Sequence, residues 1–156
     1  MKRKKFIQTT SAAGIGAAFL PKIALAELSK LSSVSIGFIG TGLRGQWLLD
    51  LAAKREDVNI PAICDIDGEM IQYAQKILKN NNKNIEEIYN KGKYDYKNLV
   101  ERKDLDAVII ATPWEWHAQM SLAAMDAGKH VGTEVPAALT VDDCWALVRT
   151  SEQTGK

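Results

Sequence analysis

VSIGFIGTGLRGQWLLDLAAK, residues 34–54, passes from a buried-strand pattern through a glycine-rich turn into a helical pattern. Val34–Ile39 is a short apolar run of the kind that forms a strand covered on both faces. Gly40-Thr41-Gly42-Leu43-Arg44-Gly45 then places glycine at three fixed offsets. Gln46–Lys54 follows as a helix, with Trp47, Leu48, Leu51 and Ala52 at helical spacing. Strand, glycine turn and helix in this order make the fingerprint of a dinucleotide phosphate site. Gly40 permits the tight turn, Gly42 lets the main chain approach a pyrophosphate, and Gly45 lets helix and strand come close. The helix start aims free N–H groups at the phosphates. A glycine turn without a ligand is the competing reading.

Asp65 stands twenty residues past Gly45, at the end of the next apolar run, Val58–Cys64. A carboxylate there accepts hydrogen bonds from the adenosine ribose and repels a 2′-phosphate, which favours NAD over NADP. Arg44 opposes that choice, because a nearby arginine can accommodate the same phosphate. Asp65 can instead be a strand-end turn residue, and Asp67 reads as a helix N-cap. Pro61 removes one ladder hydrogen bond from its strand and asks for a bulge or an unpaired position.

The alternation continues to the chain end. Glu69–Lys79 is a helical pattern with Met70, Tyr73, Ala74, Ile77 and Leu78 on one face, and Asn80–Asn84 is a polar loop. A short strand in Ile85–Tyr89, a helix over Tyr94–Arg102 and a fully apolar strand at Ala107–Ala111 follow. Helix His117–Ala127 stops at Gly128, and His130–Thr133 is a fifth strand. Thr140-Val141-Asp142-Asp143 opens a last helix in capping-box fashion, with Val141, Cys144, Trp145 and Val148 expected in the core. The expected fold class is α/β: a Rossmann-type, doubly wound parallel sheet over residues 34–156. No pattern for a second, C-terminal α/β substrate domain is found, so that domain is expected to be absent from this chain.

Two more clusters sit where open α/β sheets place their ligand crevice, at the carboxyl ends of strands. Thr112-Pro113-Trp114-Glu115-Trp116-His117 follows the fourth strand. Tryptophan faces there can cover a nicotinamide or a sugar ring, or the segment can simply cap the sheet while His117 starts a helix. Thr133-Glu134-Val135-Pro136 follows the fifth strand. Glu134 can bond a ribose or the nicotinamide amide, or be a surface carboxylate before a proline turn. His130, at a strand start on the opposite edge, reads as structural.

Of 156 residues, 46% are hydrophobic and 25% charged, ordinary for a globular protein with its own core. The first 26 residues hold five basic groups (Lys2, Arg3, Lys4, Lys5, Lys22) and no acid, so the remainder is net −4, which argues against nucleic acid as partner. The two cysteines, Cys64 and Cys144, have no metal-ligand spacing, and apolar surroundings disfavour a bridge between them. Residues 1–26 have a basic start, a short apolar stretch (Ala12–Leu20) and a small-x-small end, Ala24-Leu25-Ala26. They read as a cleaved export signal to the periplasm, too short for a membrane anchor, with 27–33 as a spacer. Arg3-Lys4-Lys5-Phe6-Ile7 resembles a twin-arginine signal with lysine in the second arginine position; an ordinary secretory signal or an uncleaved amphipathic start is the alternative.

GFIGTGLRG, AICDID, LDAVIIATPWEWHA and AAMDAGKHVGTEVPAALT together resemble the Gfo/Idh/MocA family, from about Val34 to the chain end. Most of that family carries Glu-Lys-Pro, with a proton-transferring lysine, where this chain has Glu134-Val135-Pro136. That variant, with Trp114-Glu115-Trp116-His117, is most similar to glycoside hydrolase family 109, exported NAD-dependent α-N-acetylgalactosaminidases. The resemblance implies a glycosidase without the usual carboxylate pair, one that oxidises the sugar, eliminates the aglycone, adds water and returns the hydride. It implies cofactor contacts at Leu43, Arg44, Asp65, Trp114 to His117, Glu134 and Val135, a sugar or glycan substrate, and assembly of copies through the missing domain. Two other readings stay open: a sugar oxidoreductase of the wider family, and a nucleotide-binding module without catalysis.

Overall fold

Val34–Ile39 forms β1 at the centre of the sheet, and the computed structural model describes residues 33–156. The expected export signal and almost all of the spacer lie outside them. Leu43–Ala53 is α1, Val58–Cys64 is β2, and Gly68–Asn80 is α2. Glu87–Tyr89 (β3), Tyr96–Val100 (α3) and Ala107–Ile110 (β4) follow. His117–Asp126 (α4), His130–Thr133 (β5) and Val141–Thr154 (α5) complete the unit. All pairings are parallel, in the order β3-β2-β1-β4-β5. The order reverses between β1 and β4, and a crevice opens there above the strand ends.

Each face of the sheet carries its own core. Phe38, Ile60 and Ile63 meet Leu49 and Ala53 of α1 and Ile71, Ala74 and Leu78 of α2. Ile39, Val108 and Ile110 meet Leu99 and Val100 of α3 and Met120 and Ala124 of α4. Each fully buried aliphatic side chain contributes about 2 kcal/mol of transfer free energy. Pro61 lies where the β1–β2 register slips by one residue, between the Ser35–Asn59 and Gly37–Ala62 pairs. That bulge absorbs its missing N–H, and its carbonyl accepts from the Glu86 amide at 2.8 Å.

Three buried faces differ from expectation. On α1 the inner residues are Gly45, Leu49 and Ala53, while Trp47 and Leu51 are exposed. Gly45 must lie against the β1 turn, and that contact fixes which side of the helix faces inward. On α2 Ile71 is buried, and Tyr73 points outward to Glu69. On α5 no residue is buried: Val141, Trp145 and Val148 are exposed, as is Cys144. That helix rests on α4, with Leu147 and Val148 lining a recess against Ser121 and Met125. Its capping is half as expected: the Asp143 amide donates to Thr140 Oγ1 at 3.1 Å, while the Asp143 carboxylate accepts from the Thr140 hydroxyl instead of from an amide.

Candidate cofactor site

Gly40 has φ +87, a left-handed conformation that glycine alone adopts freely, and its missing Cβ would strike the Ala111 carbonyl at 2.7 Å. The chain thus turns sharply off β1 against the end of β4. A Cβ at Gly45 would sit 2.1 Å from the Gly40 oxygen, so the first turn of α1 lies directly on this bend. Gly42 is different. It is the N-cap of α1 with no side chain to cap it, and a Cβ there would meet nothing within 4 Å. The first-turn amides therefore face open space over a glycine, a place shaped for a pyrophosphate.

Asp65 flanks this turn. Its Oδ2 accepts from the Thr41 amide at 2.6 Å and the Thr41 hydroxyl at 3.0 Å, and its Oδ1 from the Asp67 amide at 2.9 Å. Asp67 caps α2, accepting from the Glu69 amide at 2.8 Å. A cavity of about 410 Å³ opens beside Asp65, large enough for the adenosine half of a dinucleotide. Gly40, Gly42, Ile66, Met70, Lys93, Tyr96, Pro113 and Trp116 are among its walls. Ile66, Met70, Lys93 and Tyr96 were not expected from sequence. Ile66, next to Asp65 and exposed, and Met70 in the first turn of α2 follow closely on Asp65 in sequence; Lys93 and Tyr96 are brought to the cavity by the chain between β3 and α3, whose course spacing does not give.

The four residues Trp114 to His117 separate. Trp114 and Glu115 are exposed at the rim. Trp116 turns inward, its ring edge-on to Tyr94 at 5.9 Å and Tyr96 at 6.4 Å between centroids, and forms one wall of the cavity. His117 is completely buried: Nδ1 lies 2.8 Å from the Pro136 carbonyl and Nε2 2.7 Å from the Thr112 carbonyl. Its ring ties the loop after β4 to the loop after β5. His117 opens α4, and both its ring nitrogens have carbonyl partners in the protein.

Glu134 and Arg44 face each other across the crevice, Arg44 Nε to Glu134 Oε1 at 2.6 Å. The guanidinium also lies 4.4 Å over the Trp47 ring. Its partners are thus Glu134 and Trp47. Arg44 holds the Glu134 carboxyl below its ordinary range, helped by the Val135 amide and the nearby His117 against partial desolvation. Leu43 and Val135 project into solvent on either side of this pair. His130 stands at the far edge of the sheet with Lys156 Nζ 3.4 Å from its Nε2. Among the described residues no cluster of His, Cys, Asp or Glu is arranged to hold a metal, and no helix is long and apolar enough to cross a membrane.

The chain is similar to several known proteins. A family model for oxidoreductases with an NAD-binding Rossmann fold, Gfo/Idh/MocA, matches residues 34–156. Curated relatives named glycosyl hydrolase family 109 proteins include one from Bacteroides fragilis (strain YCH46), 46% identical over 81% of this chain and 27% of its own. Another, from Solibacter usitatus, is 39% identical over 97% of this chain and 36% of its own. Among solved structures, scyllo-inositol dehydrogenase from Lactobacillus casei with bound NAD(H) and scyllo-inositol superposes with a TM-score of 0.68. That likeness has 26% identity and covers 79% of this chain and 34% of that one. The chain spans about a third of the length of these proteins. The glycine turn, the held carboxylate and the cavity all lie in this NAD-binding Rossmann domain, and the chain belongs to the Gfo/Idh/MocA oxidoreductase family.

Proposed function

We propose that this chain is the NAD-binding part of an exported glycosidase that acts on α-N-acetylgalactosaminides. The observation that carries the proposal is the triplet Glu134-Val135-Pro136 at the crevice, beside relatives named for glycoside hydrolase family 109. Val135 holds no proton to transfer, so the triplet does not serve a simple alcohol dehydrogenation in the manner of a lysine. Bound NAD supplies a hydride acceptor that returns its hydride within the same turnover, so it is not consumed. This chain's part is to hold the cofactor: the α1 amides take the pyrophosphate, Asp65 the adenosine ribose, and Trp116 and Ile66 the walls around the base. Arg44 and Glu134 bracket the other half of the crevice. Binding the sugar and moving its protons belong to the part of the relatives' length that this chain does not span.

The test uses the intact protein and an aryl α-N-acetylgalactosaminide without added NAD. Release of the phenol with no accumulation of NADH supports the proposal. The inositol dehydrogenase neighbours favour a second reading, a sugar oxidoreductase, for which a keto-sugar and stoichiometric NADH are the expected products. NAD binding with neither product would leave a binding module. Export is part of the proposal: the mature protein begins at Glu27, and an N-terminus still at Met1 on the secreted form would overturn it.

A further inference from the structure

Thr41 is the middle residue of the first two glycines of the turn, and nothing in the fingerprint asks for a particular side chain there. Yet it is completely buried, and both its donors, amide at 2.6 Å and hydroxyl at 3.0 Å, converge on one oxygen, Asp65 Oδ2. Its own carbonyl is fixed in turn by Gln46 Nε2 at 2.9 Å. The Asp67 amide holds the other carboxylate oxygen. Three donors from the protein therefore set the carboxylate's position and plane before any ligand arrives. We propose that Thr41 is the positioning residue for cofactor choice: its hydroxyl locks Asp65 in the orientation that accepts the ribose hydroxyls of NAD and repels the 2′-phosphate of NADP.

The inference rests on the assignment of this crevice to NAD. A carboxylate discriminates by charge only while it cannot turn away. With one of two donors to Oδ2 removed, Asp65 gains freedom to rotate, loses part of its fixed geometry for the ribose, and can retreat from an added phosphate. Arg44, paired with Glu134 and stacked on Trp47, does not supply a compensating cation beside it. Thr41 is thus a hidden contributor to selectivity, without touching the nucleotide itself.

The experiment titrates NAD⁺ and NADP⁺ into the full chain by calorimetry, with far-UV circular dichroism confirming the fold. Thr41→Val, which keeps shape and removes the hydroxyl, is expected to weaken NAD⁺ about tenfold, the size of one charge-assisted hydrogen bond, and to narrow the preference over NADP⁺ by at least that factor. Thr41→Ser, which keeps the hydroxyl, is expected to leave both affinities within about twofold. Thr41→Ala takes the place of the valine variant if that one does not fold. A folded hydroxyl-free variant with wild-type affinity and wild-type preference overturns the proposal, as does a serine variant that behaves like valine. A wild-type chain that binds neither nucleotide fails the cofactor assignment instead, an outcome distinct from both.

Discussion

At Cys64 the thiol lies at the end of β2 beside the cofactor cavity, and burial, ahead of the nearby Asp95 and Asp65 charges, pushes its pKa up to about 12. Cys144 lies exposed on α5. A thiol reacts as its thiolate and only where reagent can reach it. Native chain treated with an aromatic disulfide reagent near pH 8 is therefore expected to release one equivalent of chromophore, from Cys144, and a second only in denaturant. Two equivalents under native conditions would contradict the buried position of Cys64. His117 carries a second expectation. Its buried ring sits between the Thr112 and Pro136 carbonyls, and truncation removes the ring's hydrogen bonding and leaves a cavity there. His117→Ala is expected to destabilise the chain by about 2–4 kcal/mol, read from the urea midpoint. This role was only half legible. The sequence shows a histidine at a helix start after a strand, but Pro136 comes into reach only because β4 and β5 are neighbours and the loop after β5 folds back. The place of Asp65 beside the glycine turn was legible because it is set by distance along one βαβ unit. Thr41 was not, because any residue can fill the second place of the turn.

The elements were read well where their signals are local, and less well where a neighbour chooses. Strands β1 and β2 follow from apolar runs, and these two and β5 have the expected bounds. The α1 face did not, since apolar residues occur all around that helix and only the close approach at Gly45 selects the inner side. Two glycines three residues apart therefore differ in what alanine does to them. Gly45→Ala puts a methyl into the backbone at Gly40, which cannot move without opening the turn, and is expected to cost about 2 kcal/mol or more in stability. Gly42→Ala, at φ −65 with open space beyond it, is expected to leave the urea midpoint nearly unchanged and to weaken NAD⁺ at least tenfold by filling the phosphate cradle. Equal NAD⁺ affinity in Gly42→Ala and wild type would remove the pyrophosphate from that turn. The Gly92–Tyr96 lip of the cavity has its own pH signature. The Lys91 amide at 2.8 Å, first, and the Asn98 side chain at 2.7 Å hold the Asp95 carboxyl below its ordinary range. A depressed carboxyl contributes stability that is complete above its unfolded pKa and disappears as pH falls through the lower folded value. The urea midpoint is thus expected to fall once pH drops below about 4, and Asp95→Asn to flatten that decline.

At the scale of the whole molecule, alternation and short connections leave few topologies open, and right-handed crossovers place the helices on the two faces of the sheet. What composition could not tell is which apolar helix face the described chain leaves open. Val141, Trp145 and Val148 follow one another at helical spacing on α5, a pattern that in an ordinary helix means core. Here α5 lies on α4 at the side of β5, the outer strand of the order, and Trp145 remains 58% exposed. An apolar row beside a sheet edge that nothing among the described residues pairs with is a surface for association. The chain is expected to self-associate as its concentration rises into the tens of micromolar, seen by sedimentation velocity. Trp145→Lys should reduce that association and shift stability by no more than about 0.5 kcal/mol, because the ring covers no core residue. If the substitution instead lowers the urea midpoint as a buried tryptophan would, by about 3 kcal/mol or more, α5 faces inward by the side the sequence first suggested, and the open surface described for it does not exist.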